Sequence, residues 1–269
     1  MPTTSTAGLP QPLAEPVRRA SLFLRERNGF ASAVDRVRRV AEEAGVEIVE
    51  DDPQLVVVLG GDGTMLRAFH EFLGRVPVIG INFGRFGFLA SIQPEELEAG
   101  LRRALSGDYV VIELPTLEFE QKGARAVAVN DVVAASAVTG RLVELEWAIG
   151  GEPLGMVPSD AIILATPGGS TAYNLSNNGP VLMWGIDAMA VSFVAPHSFH
   201  ARPLVVPRGR DIVVTNRTPD ISLALIADGQ RVDEIEPEGT VTVRLGSEHS
   251  LLATLPDATF LTRFRSAFG

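Results

Sequence analysis

Residues 60 to 64 read Gly-Gly-Asp-Gly-Thr and follow the apolar run Leu55-Val56-Val57-Val58-Leu59. A buried strand running into a glycine loop brings backbone N–H groups and one carboxylate, Asp62, to the same spot. The loop opens into a helix expected over Thr64–Leu73, whose N-terminus favours anions. Gly60, Gly61, Gly63 and Thr64 are therefore candidates to hold a phosphate. A carboxylate would repel that phosphate, so Asp62 needs another task. It could take a proton from an attacking hydroxyl or ligate a metal.

Three further segments could carry chemistry. Asn82 to Leu89 holds two glycines and three phenylalanines, and it follows the next expected strand. Val129-Asn130-Asp131-Val132 places an amide beside an acid, a pair able to read a ribose or an adenine edge, although Asn-Asp is also ordinary turn sequence. Ala165 to Ser176 follows a buried run and is dense in small hydroxyl residues, which suits close approach of a ligand; Ser170 or Thr171 would equally serve as a helix cap. The histidines, His70, His197, His200 and His249, show no metal-ligand spacing, and His197 and His200 read as structural. No Gly-x-Ser-x-Gly elbow occurs, which disfavours a serine hydrolase.

The elements that must position these residues fall into two groups. Up to Gly107, strands alternate with helices. Strands are expected at 21–25, 46–49, 55–59 and 76–81, and helices at 30–44, 64–73 and 95–105. That pattern indicates an α/β unit with a parallel sheet, in which ligands sit beyond the C-terminal ends of the strands. Both glycine loops lie there. From Tyr109 to about Leu255 strand-like runs dominate. The expected division is a loose tail over 1–19, an α/β domain over 20–107 and a β-rich domain over 108–255. The last residues, 256–269, are a candidate to pack back on the first domain.

The chain has 269 residues, 46% of them hydrophobic, with a formal net charge of −10, so a broad nucleic-acid surface is not expected. There are no cysteines, which excludes disulfides, Cys-ligated zinc and thiol catalysis. That composition suits a cytoplasmic location. The apolar stretch from Pro180 to Pro196 carries Asp187 and reads as core, so no membrane association is expected. Of the 23 basic residues only Lys122 is a lysine, and it sits in turn-like sequence. Any phosphoryl transfer must then work without a P-loop lysine or a lysine on a strand.

Taken in order, these segments resemble the NAD kinases, which phosphorylate the adenosine-ribose 2′-hydroxyl of NAD to give NADP. The resemblance runs through Gly60–Thr64, Asn82-x-Gly84-x-x-Gly87-Phe88, Asn130-Asp131 and Thr166-Pro167-x-Gly169-Ser170-Thr171-Ala172-Tyr173. It continues through Pro196-His197-Ser198, Arg202-Pro203-Leu204 and Asp228-Gly229-Gln230. It implies a Rossmann-like N-terminal domain and a β-sandwich-like NAD-binding domain. Asp62 would be the general base, and Gly63 would help hold phosphate. Phe88, Asn130, Asp131, Thr171, Ala172, Tyr173 and Ser176 would contact NAD. Asp160 and Ala195 match positions near the nicotinamide end, often across a subunit contact. Further implications are Mg²⁺ or another divalent cation, ATP or polyphosphate as donor, and a homodimer or homotetramer. The chain departs from the family pattern at Phe86, Asp131, Pro158-Ser159, Ala161, Gly168 and Met183-Trp184; the departures at Gly168 and around Pro158 concern the nicotinamide pocket and do not touch Asp62. A lipid kinase of the diacylglycerol type shares the first loop, and an NAD-binding regulator without catalysis is the other alternative.

Overall fold

The structure is a computed structural model that describes residues 11–12, 15–25, 29–84, 87–121, 123–198 and 201–269, without the side chains of 11, 12 and 121. Phe86, Lys122, His200 and most of the expected tail lie outside the described residues. The chain divides into two compact units. One comprises 1–114 and 249–269, the other 115–248.

The first unit contains β1 (Gln11–Pro12), β2 (Arg19–Leu24), α1 (Ala31–Glu43), β3 (Glu47–Ile48), β4 (Leu55–Gly60), α2 (Asp62–Glu71), β5 (Val78–Asn82) and α3 (Leu97–Leu105). The start of β6 (Val110–Gln121) also belongs to it. Strands β3, β2, β4 and β5 are parallel in that spatial order. Every residue of β4 and β5 is buried, as expected for a sheet covered on both faces. Leu55, Val57 and Leu59 share a core cluster with Val37, Val40 and Ala41 of α1 and Leu97 and Leu101 of α3. Side-chain alternation sends Val56 and Val58 to the opposite face.

Two sequence expectations need correction here. The segment over 1–19 is not all loose: β1 pairs with Val110 and Val111, and Val17 is buried with its N–H donating to Leu105 O at 2.9 Å. The boundary after the first unit falls at Leu114, not at Gly107, because β6 begins within the first unit.

The second unit holds β7 (Ala124–Ala128), β8 (Asp131–Ser136), β9 (Val143–Ile149), β10 (Glu152–Ser159), β11 (Ala161–Ala165), the short helix α4 (Tyr173–Ser176), β12 (Ala188–Val194), β13 (Leu204–Pro207), β14 (Ile212–Asn216), β15 (Leu223–Ala227) and β16 (Gln230–Ile235). One antiparallel sheet runs β13-β12-β11-β8-β15-β16. The other contains β10, β9, β14 and the start of β17 (Thr240–Thr254). Val132, Ile162, Leu164 and Val191 from the first sheet share one core with Leu145, Trp147, Val214 and Val243 from the second. Trp147 meets Phe193 edge-on at 5.3 Å between ring centroids. This is face-to-face sandwich packing.

β17 ends in the first unit, where Leu252 pairs in parallel with Val78. The final helix, α5 (Phe260–Phe268), is capped by Thr259, whose Oγ1 accepts the Thr262 N–H at 3.2 Å. It belongs to the first unit.

Candidate active site

The two glycine loops leave neighbouring strands. Gly60 at the end of β4 pairs with Asn82 at the end of β5, and the Phe83 N–H donates to Gly60 O at 3.1 Å. Helix α2 starts at Asp62, with Gly61 as its cap, not at Thr64 as the sequence suggested. Asp62 therefore occupies the first helical turn, where the positive end of the helix favours a carboxylate.

Both carboxylate oxygens of Asp62 are held by the second loop. The Phe88 N–H donates to Oδ2 at 2.8 Å and the Leu89 N–H to Oδ1 at 3.1 Å. A Cβ at Gly87 would stand 2.9 Å from Asp62 Oδ1, so only glycine lets this segment come so close. The Asn82 Oδ1 accepts the Gly84 N–H at 3.0 Å and fixes the start of the loop. Gly63 and Thr64 are more open: Gly63 is exposed, and a Cβ there would meet nothing within 4 Å. Burial pushes the Asp62 carboxyl above its ordinary value. The amides of Phe88 and Leu89, the positive Arg263 and the amide of Ala90 pull it back only in part.

Phe88 is placed differently from a residue that offers its ring to a ligand. The residue is 8% exposed, and its ring sits against Phe260 and Phe268 of α5, with centroids 5.7 and 5.9 Å away. Arg263 of the same helix is 9% exposed. Its guanidinium donates to Phe88 O, to Ala90 O at 3.1 Å, to Ala258 O at 3.1 Å and to Thr254 Oγ1.

In the second unit, Asn130 and Asp131 are buried at the start of β8. Asp228 builds that turn. One carboxylate oxygen accepts the N–H of Asn130 at 2.6 Å and of Asp131 at 3.1 Å, and the other accepts the Val129 N–H at 2.7 Å. Asp228 and Gly229 both have positive φ, 48° and 76°, in the two-residue turn joining β15 to β16. Burial, with the Asp228 charge second, pushes the Asp131 carboxyl from 3.8 up to about 7. The Asn130 Oδ1 is buried with no hydrogen-bond partner among the described residues.

The hydroxyl-rich segment is stitched to the same turn. Thr166 Oγ1 donates to Val129 O at 2.7 Å and accepts the Gly169 N–H at 3.0 Å. A Cβ at Gly169 would lie 2.1 Å from Asn130 O. Ser170 is buried and serves structure, donating to Pro167 O at 2.9 Å and accepting the Leu182 N–H at 3.0 Å. Asn174 is also fully buried; it donates to Ser170 O and Pro180 O and accepts from Ser192. These bonds present Thr171, Ala172, Tyr173 and Ser176 at the surface, with Tyr173 45% exposed.

Asp160 and Ala195 do not join this group. Ala165 pairs with Asp131 at one end of β11, whereas Asp160 and Ala195 flank Ala161 and Val194 at the other. Five strand residues, about 16 Å, separate the two ends. Asp160 and Ala195 are both exposed, and Ala195 has φ +45°. Among the described residues, no three His, Cys, Asp or Glu side chains gather where they could hold a metal ion.

The first unit thus holds a carboxylate at a glycine loop on a parallel sheet, and the second a polar turn on a β-sandwich. The profile of the ATP-NAD kinase N-terminal domain matches residues 11–109, and that of the C-terminal domain matches 129–255. The chain is 37% identical over 237 residues to the NAD kinase of Gemmatimonas aurantiaca, covering 84% of this chain and 81% of that one. Its fold is similar to that of an Archaeoglobus fulgidus NAD kinase solved in complex with ATP, with a TM-score of 0.78, 25% identity and coverage of 93% and 97%. It also matches yeast NADH kinase solved with NADH, with a TM-score of 0.80, 20% identity and coverage of 95% and 89%. The chain belongs to the NAD kinase family of enzymes.

Proposed function

We propose that Asp62 takes the proton from the adenosine-ribose 2′-hydroxyl of NAD as that oxygen attacks the terminal phosphorus of ATP or polyphosphate, whose bridging P–O bond breaks to release ADP or the shortened polyphosphate. The observation that carries this reading is the clamped, partly desolvated Asp62 carboxylate at the first turn of α2. A ribose hydroxyl is a poor nucleophile at neutral pH, and a placed base of raised pKa answers that need. Amides of the Gly61–Thr64 turn and the α2 N-terminus would cradle donor phosphates. Likeness to the archaeal enzyme solved with ATP supports ATP as one donor. The described side chains gather no cation site of their own. A divalent cation such as Mg²⁺ would therefore come with the donor phosphates and offset their charge.

In the second unit, Asn130 and Asp131 would read the adenosine. The unpartnered Asn130 Oδ1 suits an exocyclic amine, and Asp131 suits a ribose hydroxyl. Thr171, Ala172, Tyr173 and Ser176 would line the same nucleotide. Asp160 and Ala195, at the far end of β11, would serve the nicotinamide end of NAD held by a second copy of the chain.

The test is NADP formation from NAD, Mg²⁺ and either ATP or polyphosphate, read with an NADP-specific dehydrogenase. Turnover with one donor is the expected result. NAD binding without turnover on any donor would overturn the kinase reading in favour of a regulator. Absence of NAD binding would point to a different acceptor, such as a lipid.

A further inference from the structure

We infer that Arg263, on the C-terminal helix, is a positioning residue for the reaction: it sets the backbone segment that aims and charges the Asp62 carboxylate. This inference rests on Asp62 being the general base.

The geometry is a relay of two layers. The N–H groups of Phe88 and Leu89 face Asp62 and hold both its oxygens. The carbonyls of Phe88 and Ala90 turn the other way, and both accept from Arg263 Nη1. One guanidinium nitrogen thus pins the segment from behind at two points. Thr254 Oγ1 and Ala258 O take the other nitrogens and fix the plane of the guanidinium. A planar fork of donors is the feature that arginine has and lysine lacks. The Phe88 ring, seated against Phe260 and Phe268, keeps the same segment against α5.

The placement is costly enough to call for a reason. Arg263 is a charged side chain 9% exposed, and taking a charge out of water is strongly unfavourable unless it is paired and hydrogen-bonded. Burial lowers its pKa to about 10, while the Asp62 charge raises it, so it stays protonated at neutral pH. Among the described residues, Arg263 is the charged group that acts on Asp62, and it favours the ionised form needed in a base.

The experiment compares wild type with Arg263→Met and Arg263→Lys by kcat, KM for NAD, and the acid limb of the kcat–pH profile. Loss of the positive charge raises the pKa of Asp62, so the acid limb of Arg263→Met should move to higher pH than that of wild type. Its kcat should fall by roughly 10- to 100-fold with KM for NAD within about twofold. Arg263→Lys keeps the charge but not the fork. Its acid limb should stay at the wild-type position while kcat falls by about three- to tenfold. A folded Arg263→Met enzyme with unchanged kcat and acid limb overturns the inference. If that variant does not fold, Arg263→Lys decides: kcat equal to wild type overturns it. Asp62→Asn runs alongside. If Asp62→Asn keeps turnover, the base assignment itself fails; if it is inactive while both Arg263 variants behave as wild type, only the role of Arg263 fails.

Discussion

Replacing Asp131 with asparagine should make the protein more stable at neutral and alkaline pH. Asp131 is 6% exposed, and its carboxyl is pushed from 3.8 to about 7, first by burial and then by the neighbouring Asp228. The sign follows from proton binding. Between pH 3.8 and about 7 the folded state holds a proton that the unfolded chain releases, so stability falls as pH rises through that window. The cost is fully present above the folded value and absent below the unfolded one. A shift of roughly three units, at about 1.4 kcal/mol per unit, sets an upper figure on the order of 4 kcal/mol. Asparagine keeps the shape without the charge. With an m-value of roughly 2 kcal/mol/M, the urea midpoint of Asp131→Asn should exceed wild type by up to about 2 M at pH 8, the difference closing by pH 4. Taking the difference between the two proteins cancels the titration of remote carboxylates. A midpoint difference that stays constant from pH 4 to pH 8, or a variant less stable than wild type at pH 8, would refute the reasoning. The expected functional counterpart is weaker NAD binding by the variant, because an acceptor for the ribose has been halved.

Other substitutions test the supports of the site. Gly87→Ala puts a methyl 2.9 Å from Asp62 Oδ1, so kcat should drop by about 10- to 100-fold while KM for NAD changes little in steady-state assays. Gly169→Ala drives a methyl to 2.1 Å from Asn130 O, a backbone atom that cannot step aside; thermal unfolding should show a loss of about 1–3 kcal/mol, and KM for NAD should rise. Asp228→Ala leaves three amides of the Asn130 turn without their acceptor, and a loss on the order of 3 kcal/mol is expected from urea unfolding, together with weakened NAD binding by calorimetry.

Much of the first unit could be read from the chain because its signals are local. The all-apolar run 55–59 followed by glycines marks a parallel strand ending at a ligand loop, and β4 lies there. Helix α2 starts two residues before the expected Thr64: glycine argues against helix, whereas Gly61 caps this one and Asp62 opens it. In the second unit β10 is hard to read from the chain: Pro153, Gly155 and Pro158 argue against a strand, but an edge strand tolerates them. β8 was hidden by its alanines and by Asn130-Asp131, which reads as a turn.

The supports of the candidate site were less legible. Arg263 reads as a solvated charge on an amphipathic helix, and its burial depends on carbonyls about 175 residues away. The role of Asp228 depends on amides nearly 100 residues earlier. The separation of Asp160 and Ala195 from Asp131 follows from strand direction, which spacing along the chain does not encode.

The central claim is that Asp62 takes the proton from the ribose hydroxyl. The direct measurement is kcat for NADP formation by Asp62→Asn, with NAD affinity determined on the same preparation. The account predicts a fall of at least about 100-fold in kcat with NAD affinity near that of wild type. Turnover close to wild type in a folded Asp62→Asn enzyme would contradict it.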